Sequence, residues 1–189
     1  MNLLIIDNGT IHLEEFKTVL SDHNCVFLSK DEFANIQVED FDAVILSGSS
    51  ANSAIKHRYL FTHQIDLIKS CRVPILGVCL GFELMIDAFG GSMIRLKDKI
   101  QEVKTLQFSS DPIFEGISEL HVYEGHRWIT QQAPDIFTVL AQSETGIEVI
   151  KHKEVCMYGL QFHPEVMIEN TNGDKVLKNF VKIVANRQH

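Results

Sequence analysis

The feature that most constrains this chain is an alternation of short, unbroken apolar runs with segments of helical period. Residues 2–6 (NLLII), 25–28 (CVFL), 42–46 (DAVIL) and 73–78 (VPILGV) are four such runs. A strand that is apolar at nearly every position is buried on both faces, the condition of a parallel sheet covered by helices on each side. The intervening segments supply the helices. Residues 11–20 set Ile11, Phe16, Val19 and Leu20 on one face, and residues 60–69 align Phe61, Ile65 and Ile68. Residues 80–89 read as a third helix, stopped by Gly90 and Gly91. The expected fold is therefore α/β: a three-layer, open, mostly parallel twisted sheet with helices on both faces.

After Gly91 the pattern changes. Residues 92–96, 101–108, 120–123, 136–141, 147–151 and 155–161 read as strands between turn residues, with no convincing helix among them. This half is expected to be a mixed or antiparallel extension of the same sheet. Residues 174–185 then form a helix with an apolar stripe of Val176, Leu177, Phe180, Val181 and Val184. With no linker, repeat or low-complexity tract, residues 1–189 are expected to form one domain. At this size a domain buries roughly 70% of the surface of its unfolded chain, and 45% hydrophobic residues are enough to fill that core.

Charge and cysteine usage narrow the function. Seventeen Lys and Arg against 25 Asp and Glu give a net charge of −8, and no basic run appears, which disfavours a nucleic-acid binder. The apolar runs fall short of the ~20 residues needed to cross a bilayer, so no membrane association is expected. Asp7 interrupts the first run too early for a signal peptide. Cys25, Cys71, Cys79 and Cys156 lack the close pairing of zinc sites. The expectation is free thiols in a reducing, cytoplasmic compartment.

Ligands of open α/β sheets bind outside the carboxyl ends of the strands, which directs attention to residues 7–10, 47–52, 79–81 and 162–166. Gly77-Val78-Cys79-Leu80-Gly81 carries the strongest signal, because a buried strand there turns directly into a helix. Flanking glycines permit the tight elbow that exposes a nucleophile, and the helix N-terminus favours a thiolate at Cys79. The bland alternative is an inert core cysteine, the reading adopted for Cys25, Cys71 and Cys156. In Gly159-Leu160-Gln161-Phe162-His163-Pro164-Glu165, a strand delivers His163 to the sheet edge and the proline lets Glu165 lie back beside the imidazole. Nucleophile, base and orienter are then all present. The amide of Leu80 is a natural oxyanion donor, with a second expected around Gly48 and Ser49. The loop 47–50 lacks phosphate-loop spacing, so nucleotide binding is not expected. His12, His23, His57, His63, His121, His152 and His189 read as surface or partly buried residues, whereas His126 is a candidate for lining the site.

Taken together, the elbow GVCLG, the loop SGSS and the tail YGLQFHPEV followed by NGDKVLKNF resemble the class I glutamine amidotransferases, the triad glutaminases. The opening IIDNG, Val166 and the G-x-x-x-L-x-N-F ending are most similar to the branch that serves GMP synthetase as a separate subunit. The resemblance implies that Cys79 attacks the side-chain amide of glutamine, that His163 passes the proton to departing ammonia, and that Glu165 orients His163. It also implies that Glu83, Gly125, His126 and Trp128 bind substrate and that no metal or cofactor is required. Ammonia would go to a separate ATP-dependent synthetase that aminates XMP. A chain of 189 residues leaves no room for that half, and its charge of −8 leads us to expect Lys and Arg on the partner's docking face.

Three positions depart from the family pattern. Glu83 stands where the family has glutamine, after Phe82 in place of the common histidine. Ser49 replaces the second glycine of S-G-G-P, and Trp128 replaces the acid of S-H-x-D. A carboxylate donates no hydrogen bond unless protonated, so Glu83 either pairs with the substrate ammonium or weakens glutamine binding. Two further readings stay open: a free-standing hydrolase of another γ-glutamyl or amide substrate, and a catalytically weak regulatory subunit. The intact Cys79, His163 and Glu165 weigh against the latter.

Overall fold

A computed structural model describes residues 1–33, 36–70 and 72–187. The elements run β1 (Asn2–Asp7), α1 (Leu13–Val19), β2 (Asn24–Ser29), β3 (Ala43–Leu46), α2 (Thr62–Ser70), β4 (Ile75–Val78), α3 (Leu80–Ala88), β5 (Ile94–Arg95), β6 (Glu102–Phe108) and β7 (Leu120–Glu124). They continue with β8 (Trp128–Ile129), β9 (Phe137–Gln142), β10 (Ile147–His152), β11 (Met157–Leu160) and α4 (Gly173–Asn186).

Among the described residues, nine strands form one sheet in the order β2-β1-β3-β4-β11-β10-β9-β6-β7. Neighbours from β2 to β11 pair parallel, and those from β11 to β7 pair antiparallel. The expected mostly parallel sheet with an antiparallel extension is what forms. Side-chain alternation splits the core into two layers. Leu3 and Ile5 pack with Phe16 and Leu20 of the α1 region and with Val176, Phe180 and Val184 of α4. Leu4 and Ile6 face the other way, with Ile65 and Ile68 of α2 and Leu84 of α3.

Four expectations need correction. The first helix begins at Leu13, and Ile11 is 73% exposed, because the chain is still turning out of the β1 loop there. Residues 92–96 do not join the main sheet; Ile94 and Arg95 pair instead with the unanticipated β8 in a separate two-stranded ribbon. Cys25 is only half-buried because β2 is an edge strand, and His152 is buried rather than at the surface. Cys71 and His189 lie outside the described residues.

The last helix braces the site. All five stripe residues of α4 are buried, and Phe180 meets Tyr158 of β11 edge-on with ring centroids 6.2 Å apart. At its start, a Cβ on Gly173 would stand 2.9 Å from the Pro164 Cα, so only glycine lets α4 press against the segment after β11. Asn172 accepts a bond from the His121 N–H at 2.8 Å and donates to the Glu119 carbonyl at 2.6 Å, fastening this corner to β7. Phe180→Ala is expected to cost about 3–5 kcal/mol as a buried cavity, measured as a fall in unfolding free energy in urea.

Candidate active site

Strands β1, β3, β4 and β11 lie side by side and parallel, so their carboxyl-end loops meet at one edge of the sheet. The turn from β4 to α3 is the tightest of these junctions. Cys79 has φ 51° and ψ −99°, in the left-handed half of backbone space that a residue with a side chain rarely adopts. Its N–H donates to the Leu160 carbonyl of β11 at 2.7 Å. The flanking glycines are steric necessities: a Cβ on Gly77 would stand 2.6 Å from the Gly81 carbonyl, and one on Gly81 would stand 2.5 Å from the Leu46 oxygen.

Beside this elbow, His163 Nδ1 lies 2.8 Å from Glu165 Oε1, both residues being buried. The His163 backbone is itself held, its N–H donating to the Tyr123 carbonyl at 2.9 Å. Burial opposes protonation of the imidazole, but the Glu165 charge, the Cys79 charge and hydrogen bonds to both raise it well above the ordinary histidine value. With Nδ1 committed to Glu165, Nε2 is the nitrogen left for the sulfur. The expected set of Cys79, His163 and Glu165 is therefore assembled in space from two separate loops.

The loop after β3 closes over the pair. A Cβ on Gly48 would meet His163 Cε1 at 2.9 Å and Cys79 Cβ at 3.3 Å, so the Gly48 backbone lies directly against both. Buried Asn8 fixes the loop: its N–H donates to Ser47 Oγ and its Nδ2 to the Ser47 carbonyl, both at 2.9 Å. Gln64 of α2 holds Asn8 in turn at 2.7 Å. Ser49 caps the following turn through the Asn52 N–H at 3.1 Å. Leu80 opens α3, where first-turn amides have no intrahelical partner and can face an anion.

Cys79, Leu80 and Ser49 border a cavity of about 410 Å³ whose lining also includes Glu83, Gly125, His126 and Trp128, while His163 lines a smaller neighbouring cavity of about 90 Å³ that shares Ser49 and Gly125 with it. The pattern of the family described as "Glutamine amidotransferase class-I" matches residues 4–184. The chain belongs to this family. It is 35% identical over 159 residues to the glutamine-hydrolysing GMP synthase of Thermosipho africanus, covering 83% of this chain and 30% of that protein. It is 29% identical over 192 residues to the A subunit of the glutamine-hydrolysing GMP synthase of Methanosphaera stadtmanae, covering 98% and 100% of the two. The chain thus spans less than a third of the first relative and the whole of the second. A Thermoplasma acidophilum structure provisionally assigned to the same GMP synthase subunit superimposes with a TM-score of 0.88 at 28% identity, covering 100% of this chain and 96% of that one.

Not every expected residue of this amidotransferase faces substrate. His126 borders the cavity, but its Nδ1 is 2.9 Å from the Trp128 carbonyl and its Nε2 is 3.4 Å from Glu124 Oε2, so the ring turns inward. Gly125 packs its backbone on the His163 ring, where a Cβ would stand 3.2 Å from Cδ2. Sequence reasoning missed Lys56, Arg95, Lys99 and Arg127, which also line the cavity. It also passed over His12, whose ring stacks edge-on 5.4 Å from that of His163, and His57, which lines the cavity.

Behind His126 lies a buried polar cluster of Glu124, Glu148 and Gln161. Carboxylate and imidazole atoms of Glu124, His126 and Glu148 lie within 4.8 Å of one another, but a cation already serves them: Lys104 Nζ is 3.0 Å from Glu124 Oε2. Burial and then the Glu124 charge push Glu148 up to about 8. Glu124 is held below its ordinary value because, although burial opposes its ionisation, contacts with His126 and Lys104 outweigh it. The folded protein therefore keeps a proton on Glu148 that the unfolded chain releases at ordinary carboxyl pH, and this contribution to stability is lost as pH rises towards 8. Glu148→Gln should match the parent in melting temperature at pH 5 and exceed it at pH 8, by about 2–4 °C per kcal/mol recovered. Equal differences at both pH values in calorimetric melts would show that Glu148 holds no such proton.

Proposed function

We propose that this chain is the glutamine-hydrolysing half of an amidotransferase pair that makes GMP from XMP, working in the cytoplasm beside a separate ATP-dependent synthetase. The observation that carries the reading is the strained Cys79 elbow, which opens on a cavity and lies with the His163–Glu165 pair against the same Gly48 backbone. The names of the relatives support GMP synthesis as the destination of the ammonia: the Methanosphaera protein, matched along its whole length, is the A subunit of a glutamine-hydrolysing GMP synthase.

Cys79 Sγ gives up its proton to His163 Nε2 and attacks the side-chain carbonyl carbon of glutamine. Negative charge then develops on the amide oxygen, where the amides of Leu80 and of the Gly48–Ser49 segment can receive it. Protonated His163 hands its proton to the departing nitrogen, releasing ammonia and leaving a γ-glutamyl thioester. Neutral His163 next takes a proton from water, whose oxygen attacks the thioester, and the proton returns to the sulfur as glutamate leaves. Glu165 fixes the tautomer that makes Nε2 the transferring atom and offsets the imidazolium charge.

The charge expected at the docking face is refined here. The chain as a whole is acidic, yet Lys56, Arg95, Lys99 and Arg127 surround the cavity. The basic partner face inferred from net charge therefore does not suit the cavity mouth, where acidic groups of the synthetase are the better complement.

Glutamate release should be lost in Cys79→Ala, and a glutamine-analogue electrophile should label Cys79 while sparing Cys25, Cys71 and Cys156 in peptide mapping. Release that persists in Cys79→Ala would overturn the reading. Gly48→Ala, which forces a methyl against His163 and Cys79, should lower kcat on the order of 10²-fold while the melting curve stays close to that of the parent. An unaltered kcat there would place the working imidazole elsewhere.

A further inference from the structure

Glu165 borders a further opening in the surface, separate from the substrate cavity. A groove of about 470 Å³ runs between α1 and the segment after β11, lined by Glu14 and Glu15 on one side and by Glu165, Met167, Ile168 and Glu169 on the other. Its lining carries those four carboxylates and, among the described residues, no Lys, Arg or His. The substrate cavity is of opposite sign, with Lys56, Arg95, Lys99 and Arg127 against the single carboxyl of Glu83. Glu14 and Glu15 have partners in their own helix region, Lys17 Nζ at 2.6 Å and His12 Nδ1 at 3.3 Å, but surface pairs of this kind hold weakly. Glu169 is exposed and, among the described residues, forms no ion pair. The groove also presents apolar surface, Met167 and Ile168 being 43% and 39% exposed. The turn that carries them is nevertheless firmly held. The Asn170 and Thr171 N–H groups donate to the Met167 carbonyl at 2.8 and 2.9 Å, and Thr171 Oγ1 donates to the Val166 carbonyl at 3.2 Å. Apolar side chains set on ordered backbone lower the entropy cost of binding. Beneath them, buried Glu165 gives Oε1 to His163 Nδ1, while its Oε2 meets no hydrogen-bond partner among the described residues. A buried carboxylate oxygen left without a donor is costly, and a cation seated in the groove offsets that cost.

The groove is continuous with the catalytic edge. His12, whose carboxylate partner Glu15 lines the groove, also lines the 90 Å³ cavity beside His163, and so does Ile11, which is 73% exposed. A protein seated on the groove therefore reaches the opening onto His163, the residue that releases the ammonia. Resting on the two-subunit glutaminase reading above, we propose that this groove seats a segment of the ATP-dependent synthetase that carries Lys or Arg beside apolar side chains. Met167 and Ile168 receive the apolar side chains, and Glu14, Glu15 and Glu169 meet the cations at the rim. Together with the cationic cavity mouth, the groove gives the docking face two ends of opposite sign. The partner is then held in one orientation, acidic groups over the mouth and basic groups over the groove, since like charges brought together in the reverse orientation repel. A second copy of this chain is the poorer occupant. Its net charge is −8, and the cluster of cations it could offer borders its own substrate cavity, which docking would close. The basic docking face expected from net charge finds its counterpart in this groove.

Binding of the purified synthetase subunit from the same organism, followed by titration calorimetry, tests this with two charge reversals of equal size. One variant carries Glu14→Lys and Glu169→Lys in the groove. The other carries Glu39→Lys and Glu154→Lys, which precede β3 and β11 and so lie at the opposite, amino-end edge of the sheet. All four positions are exposed, so both variants should melt close to the parent. We expect the groove variant to weaken synthetase binding about tenfold near 0.1 M ionic strength, with a smaller gap at higher salt, and the distal variant to stay within about twofold of the parent. Equal weakening by both variants would show that net charge alone acts, and unchanged binding by the groove variant would show that the groove stays free in the complex. Either result overturns the proposal. So does self-association of the parent, seen in sedimentation velocity, that the groove variant abolishes while its synthetase binding is unchanged, because the occupant is then a second copy. If the parent does not bind the synthetase at all, the two-subunit reading falls as well, whereas equal binding by parent and groove variant removes the groove alone. Should the groove variant fail to fold, Glu169→Gln, which only removes a charge, decides. A Kd raised about threefold supports the proposal, and an unchanged Kd overturns it.

Discussion

The site depends first on β11 lying parallel beside β4. That pairing sets Gly77 against Gly159 and Val78 against Leu160, so the two strands end level and release the chain at the same height. One residue later the β4 side presents Cys79, and three residues later the β11 side presents His163. The close approach is possible because glycines keep the layers thin: Gly81 lets α3 settle on the Leu46 carbonyl, and a Cβ on Gly159 would press on Ile150 at 2.9 Å and Phe82 at 3.0 Å. Strain at the Cys79 backbone is sustained because the packed strands on either side leave no alternative path.

The electrostatics obey one rule throughout. Cys79, Glu83, Glu124, Glu148, His163 and Glu165 are all buried, where each charge must be matched or neutralised. Glu165 is matched by His163 and Glu124 by Lys104, while Glu148 and Glu83 are raised towards neutrality. Two kinds of carboxyl therefore coexist within one small region, anionic where a cation or imidazole answers them and raised towards neutrality where none pairs with them.

Most of this arrangement was legible in the residues. Unbroken apolar runs mark strands covered on both faces, and β1, β3, β4 and β11 are buried throughout apart from their ends. The glycine spacing around Cys79 announces the elbow because no other residue fits those two positions. The ribbon of β5 and β8 was not legible, since two-residue strands carry no period. The inward turn of His126 was hidden for another reason: its partners, Glu124 of β7 and the Trp128 carbonyl of β8, lie two residues to either side, and no local pattern tells that the loop folds the ring back between them. The cavity cations escaped notice because Lys56, Arg95, Lys99 and Arg127 belong to separate loops, and no local pattern announces which surface charges will converge.

The place of β11 in the sheet has a consequence for how the protein comes into being. This strand is central in space but follows ten others in sequence, lying between β4 and β10. Until residues 157–160 leave the ribosome, β4 has an open, hydrogen-bond-hungry flank, the kind of edge that invites pairing with other chains. Over the same interval Cys79 has no imidazole beside it. The step that closes the sheet is thus also the step that arms the nucleophile, so a nascent or clipped chain ending before β11 is chemically quiet but prone to aggregate.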